Sequence, residues 1–156
     1  MEELRVPKRR VLAQFVLPGG GVREVAVFLA EATPGHSGGE RLSDLLNGDV
    51  HFIPAQDVGT GAMTFVHTSG LAVARVAAED EFSDADQLTI PTEHEVEVRL
   101  VDGHRLTGLI SYVLPEGRSR LTDFLNDSPA YFRLIEPERV ALVNKRYVAY
   151  VESLRR

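Results

Sequence analysis

One short segment of this chain is written twice. Arg41-Leu42-Ser43-Asp44-Leu45-Leu46-Asn47 returns as Arg120-Leu121-Thr122-Asp123-Phe124-Leu125-Asn126, and comparable apolar runs flank both copies. An internal repeat constrains architecture more than local propensity does, because each copy has to be one supersecondary unit. In 156 residues it predicts two units of about 70 residues each. A unit of that size is near the lower limit for one core, so the two are expected to share an interface.

The formal charge of -6 is concentrated in one place. Residues 78–95 carry Glu79, Asp80, Glu81, Asp84, Asp86, Glu93 and Glu95 with no basic residue. With Ser83, Pro91 and Thr92 among them, this stretch reads as a solvated acidic linker between a first unit, 6–77, and a second, 96–156. Asp84-Ala85-Asp86 lacks the third ligand, the Gly and the distal Glu of a calcium loop. The chain has no cysteine, which excludes disulfides and thiolate metal sites and fits a reducing compartment. The charged start, Met1-Glu2-Glu3-Leu4-Arg5, is unlike a secretory signal, and no run is long enough to span a membrane. A cytoplasmic protein is expected.

Both units read mainly as β-strand. In the second, Val96, Val98 and Leu100 alternate with Glu97 and Arg99, the period-two signature of a half-buried strand. Asp102-Gly103 makes a tight turn into a second strand over 106–114, where Gly108 marks a bend or a close backbone approach. Leu121, Phe124 and Leu125 then share one face of a short helix. Strands are predicted over 131–135, 139–144 and 147–152, with Asn144 in a left-handed turn. The first unit repeats this plan with strands over 11–17 and 24–31, a helix over 41–47, and strands near 51–53, 63–67 and 71–76. Longer loops lie at 34–39 and 57–62. The predicted fold is therefore mainly β with short helices: two pseudo-symmetric five-stranded small barrels, each with a helix between its second and third strands.

Val96-x-Val98-x-Leu100-x-Asp102-Gly103, followed by Gly108-x-Ile110, resembles the first signature of Sm-like small barrels. Leu142-Val143-Asn144-Lys145-Arg146-Tyr147-Val148 stands in the place of their second. The Arg-Gly pair of that second signature is absent, and Sm-like proteins carry their helix before the first strand. The repeated Arg-Leu-x-Asp-x-Leu-Asn segment is similar to one in uncharacterised bacterial small-barrel proteins, a resemblance that implies no particular activity. An SH3-like closure suits the same strand set, since closure removes exposed edges.

Function is far less legible. The repeated Arg41, Asp44, Asn47 and Arg120, Asp123, Asn126 are expected to be structural: Asn as a left-handed cap at each helix end, Arg and Asp as i,i+3 pairs. The competing reading is a polar ligand site present twice. Five scattered histidines and eight serines form no metal spacing and no nucleophile elbow, and Gly19-Gly20-Gly21 precedes a strand, not the helix of a dinucleotide loop. The expectation is no enzyme, no cofactor and no metal. A non-enzymatic protein-interaction or adaptor module leads, because small barrels expose strand edges. Its partner would be another protein, a second copy of the chain included. Aromatics that strand alternation turns outward are the candidate contacts: Tyr112, Tyr131, Tyr147 and Tyr150. Phe132 is as well suited to the core. The alternative is a nucleotide or RNA ligand held by Lys8, Arg9 and Arg10, whose position before the first strand resembles the arginine motif of PilZ-type cyclic-dinucleotide receptors. That family's Asp/Asn-x-Ser-x-x-Gly run is not present, and an acidic chain without a basic aromatic face argues against a polyanion.

Overall fold

A computed structural model describes residues 7–31, 39–82, 91–113 and 120–154. The first half holds β1 (Lys8–Val16), β2 (Val22–Ala30), α1 (Leu42–Leu46), β3 (Phe52–Asp57), β4 (Met63–His67) and β5 (Val73–Ala77). A one-turn helix, α2 (Ala78–Glu81), leads towards the second half. There follow β6 (Thr92–Leu100), β7 (Arg105–Tyr112), α3 (Leu121–Asp127), β8 (Tyr131–Glu136), β9 (Arg139–Asn144) and β10 (Val148–Ser153), with a 3-10 turn at Lys145–Tyr147. The loop expected at 34–39 and the Pro115-Glu116-Gly117 turn fall largely or wholly outside the described residues.

All ten strands belong to one antiparallel sheet, ordered β10-β6-β7-β8-β9-β5-β1-β2-β3-β4. Each half places its fifth strand beside its first and its fourth strand last, and the halves join where β5 pairs with β9. The sheet does not close. The expectation of two closed barrels is corrected by this seam: β5 bonds β1 on one side and β9 on the other, so in each half one of the two edges that closure would join holds the other half instead.

The seam also mixes the cores. Phe15, Leu29, Leu42, Ile53 and Leu71 of the first half cluster with Tyr131, Val140 and Leu142 of the second. On the other face of β5, Ala72 and Val73 join Val96, Ile110 and Leu134. Alternation along β5 and β9 therefore sends successive side chains into different halves, and neither cluster is built from one half alone.

Three local expectations change. The acidic stretch is not all solvated: Glu81 ends α2 and is buried, while Thr92 to Glu95 are the start of β6. Asn144 has φ −78°, not a left-handed conformation, and its side chain accepts the Arg146 N–H to start the 3-10 turn. Asn47 has φ −93° and Asn126 lies within α3, so neither is a left-handed cap. Gly108 does mark a close approach, since a Cβ there would stand 2.5 Å from the Ile135 carbonyl oxygen.

Candidate functional site

The repeated motif divides into a local part and a long-range part. The Arg41 N–H donates to Asp44 Oδ2 at 3.0 Å, and the Arg120 N–H to Asp123 Oδ2 at 3.4 Å. In both copies the carboxylate three residues on satisfies the chain at the open start of the helix, where the exposed N–H groups favour negative charge. The Arg120 guanidinium lies on the same Asp123, at 3.2 Å.

The asparagines behave differently. Asn47 crosses the seam: its Nδ2 donates to the Tyr131 carbonyl at 3.1 Å, and its Oδ1 accepts the Tyr131 N–H at 2.8 Å. One side-chain amide thus satisfies both backbone groups at the first residue of β8. Tyr131 follows that anchor into the first half, where its phenol donates to the Thr68 carbonyl at 2.6 Å and reaches the Leu71 carbonyl at 3.3 Å. Asn144 Nδ2 donates to the Leu71 carbonyl at 2.8 Å beside it. Burial pushes the Tyr131 phenol up to about 12, against a smaller lowering by these partners. The Asn126 side chain is exposed and has no hydrogen-bond partner among the described residues.

A second polar link ties α2 to both halves. Glu81 Oε2 accepts from the Ser43 hydroxyl on α1 and from Arg133 Nε on β8 at 2.7 Å. Beside this link, Asp44, Asn47, Phe124 and Arg133 line a cleft of mixed polar and apolar character, about 450 Å³, between α1 and α3. At the hairpin tips the Gly19 N–H donates to Asp102 Oδ2 at 2.8 Å, and Asp102 also pairs with His104 Nδ1 at 2.9 Å. The His104 and Gly19 groups hold the Asp102 carboxyl at about 2.

The two ends of the sheet leave strand edges open. Among the described residues β4 pairs only with β3, and β10 only with β6. Edge strands are ordinarily blunted by charge, proline or short length. β4, Met-Thr-Phe-Val-His, carries neither proline nor lysine. Met63 and Phe65 project from it into solvent beside Phe52 of β3, and Phe65 is 67% exposed. On its other face, Thr64 and Val66 border an apolar cavity of about 300 Å³ with Phe15, Val25 and Leu71. This edge was not singled out from the sequence, although its apolar residues on both faces and its lack of lysine are readable there.

The expected contact residues are scattered relative to this edge. Tyr112 and Tyr131 are buried, as is Phe132, and all three fill the interior. Tyr147 is half-buried in the 3-10 turn, and Tyr150 is exposed on β10 with the Arg99 guanidinium 5.6 Å from its ring centre. Lys8, Arg9 and Arg10 lie within β1, where alternation separates Arg9 from its neighbours. Arg9 is engaged with Asp80 at 3.4 Å and the Glu40 carbonyl at 3.0 Å.

Among the described residues no cluster of His, Asp or Glu side chains is arranged to hold a metal ion, and no helix is long and apolar enough to cross a membrane. The chain matches no protein-family model, no curated protein and no solved structure.

Proposed function

We propose that the chain is a non-enzymatic protein-interaction module made of two copies of one five-stranded unit, fused through β5 and β9. Its function is to receive an extended segment of another polypeptide along the free edge of β4. The carrying observation is that β4 offers an unpaired row of backbone groups together with solvent-facing Met63, Phe65 and neighbouring Phe52. Strand addition draws affinity from main-chain hydrogen bonds and selectivity from alternate side chains, and this edge supplies both. The seam is a precedent within the molecule, since β9 accepts β5 as an added strand in the same way.

The test is fluorescence anisotropy with labelled extended peptides of alternating apolar and polar residues. Wild-type protein should bind members of the panel, and Phe65→Lys should lose that binding while its melting temperature is retained. If no peptide binds, and a cyclic dinucleotide or RNA gives a salt-sensitive signal that substitution of Lys8, Arg9 and Arg10 abolishes, the nucleotide reading takes its place.

A further inference from the structure

The occupant of β4 is written into the chain's own seam. We propose that copies of this protein join head to tail, β4 of one pairing with β10 of the next, a proposal that rests on the strand-receiving reading above.

The strand ladders align the halves residue by residue. Phe52↔His67 in the first corresponds to Tyr131↔Asn144 in the second. Val16↔Val73 corresponds to Arg99↔Tyr150, because the two hairpins turn identically: Leu17 N–H to Gly21 O and Gly20 N–H to Leu17 O, against Leu100 N–H to His104 O and Gly103 N–H to Leu100 O. β4 is therefore the counterpart of β9, and β10 that of β5. The seam joins one edge of each kind, and one edge of each kind is left over. Carrying the seam register across, Val73↔Val143 and Val76↔Val140 predict Tyr150 opposite Val66 and Ser153 opposite Met63 of the next copy.

Two observations away from the edges agree. Tyr131 is the plug of the seam: it shares the first-half core with Leu46, Ile53, Leu71 and Ala74, and its phenol bonds the Thr68 carbonyl. Its counterpart Phe52 is 56% exposed. The counterparts of that socket, Leu125, Phe132, Lys145, Val148 and Val151, line an open cleft of about 230 Å³ beside Tyr150. The first half thus presents a plug in solvent, and the second presents an empty socket of matching construction.

The second observation is the repeated asparagine. Asn47 clamps the backbone of Tyr131, whereas the Asn126 side chain has no partner among the described residues. By the same correspondence the target of Asn126 is the backbone of Phe52 in the next copy. The helices agree, for α1 fully buries Leu42, Ser43 and Leu46, its two leucines in the cluster that Tyr131 of the other half enters, while Leu121, Phe124 and Leu125 of α3 are only partly buried.

One seam contact is not carried over. Arg75 and Glu136 form an ion pair at 2.9 Å, and their counterparts are Glu152 and Asp57. Arg23 sits 3.4 Å from Asp57 and partly offsets the repulsion. The joint between copies is consequently weaker than the seam and comes apart first on dilution. Being heterologous, it gives a ring where the rotation per copy closes and a filament where it does not.

Sedimentation velocity of the full chain over a concentration series tests the proposal. Wild type should grow beyond the monomer with concentration, and Glu152→Arg, which restores the missing pair, should tighten association about tenfold. Phe52→Asp closes one end, and Asn126→Asp with Tyr150→Asp closes the other, all at exposed positions. Each variant alone should stay monomeric and folded, and an equal mixture should form a 1:1 dimer and nothing larger, since one intact joint remains. Assembly that persists in both end variants, or a mixture that stays monomeric, overturns head-to-tail pairing. A wild type that is monomeric throughout, with Glu152→Arg unchanged, also overturns it. Peptide capture retained in such a monomer leaves the strand-receiving reading standing, while loss of capture as well removes both.

Discussion

Asn47 and Tyr131 are 84 residues apart in sequence and joined by two hydrogen bonds, the Asn47 amide pairing with both the N–H and the carbonyl of Tyr131. Removing that amide leaves two part-buried backbone groups without partners at the junction of the halves. Asn47→Ala should therefore cost about 1–3 kcal/mol in denaturant melts. Asn126→Ala, measured at concentrations where the protein is monomeric, should stay within about 0.5 kcal/mol of wild type. Equal costs at the two positions would show that the motif's asparagines serve their own helices.

Glu81 supplies the next contrast, because Glu79, two residues before it on α2, is exposed. Its carboxylate holds Ser43 and Arg133, so Glu81→Ala should destabilise by about 1–3 kcal/mol, the scale for losing a charged hydrogen-bond acceptor with a half-exposed partner. Glu79→Gln is expected to be near neutral in the same chemical denaturation experiment. A silent Glu81 variant would mean that α2 is not pinned to the seam.

The Tyr131 phenol stands at about 12 in the folded chain, above the ordinary tyrosine value near 10. Its neutral form is favoured by folding, so this contribution is fully present below pH 10 and is lost as pH rises towards 12. Melting temperature should fall across that window in wild type, and the fall should be shallower in Tyr131→Phe. The variant should also lose about 0.5–1.5 kcal/mol at neutral pH, one buried hydroxyl bond.

Asp102 acts at the opposite end of the pH scale. The His104 and Gly19 N–H groups hold it at about 2, below the usual carboxylate range. A depressed carboxyl stabilises the fold above pH 4, and that stabilisation is lost as pH falls towards 2. The group is open to solvent, so the effect is modest. The acid limb of a melting profile should move less in Asp102→Asn than in wild type. Gly20 belongs to the same contact: at φ +102°, with a Cβ 2.8 Å from the His104 ring, Gly20→Ala should disrupt it, seen as lower protection of the Gly19 amide.

Much of the fold was legible because it rests on local rules. Alternation of Val96, Val98 and Leu100 with charged residues located β6, and the doubled Arg-Leu-x-Asp segment located α1 and α3, though not the capping of their starts by Asp44 and Asp123. What could not be read was pairing between halves. The apolar pattern of β5 and β9 is the same whether each closes its own barrel or bonds the other, as they do in the folded chain. The Asn47 clamp and the Glu81 link escaped for a related reason. Their partners, Tyr131 and Arg133, are remote in sequence, so propensity rules assigned the asparagine to a cap and the glutamate to solvent.

The most direct measurement is amide hydrogen exchange along β4. The Thr68 N–H donates to His51 O across the β3–β4 ladder, so alternation directs the Met63, Phe65 and His67 amides away from β3. In dilute protein without peptide these three should exchange rapidly while Thr64 and Val66 are protected. On saturation with a captured strand they should slow, and their neighbours should change little. Met63, Phe65 and His67 amides already protected in the dilute chain, or still rapid at saturation, would contradict β4 as the receiving edge.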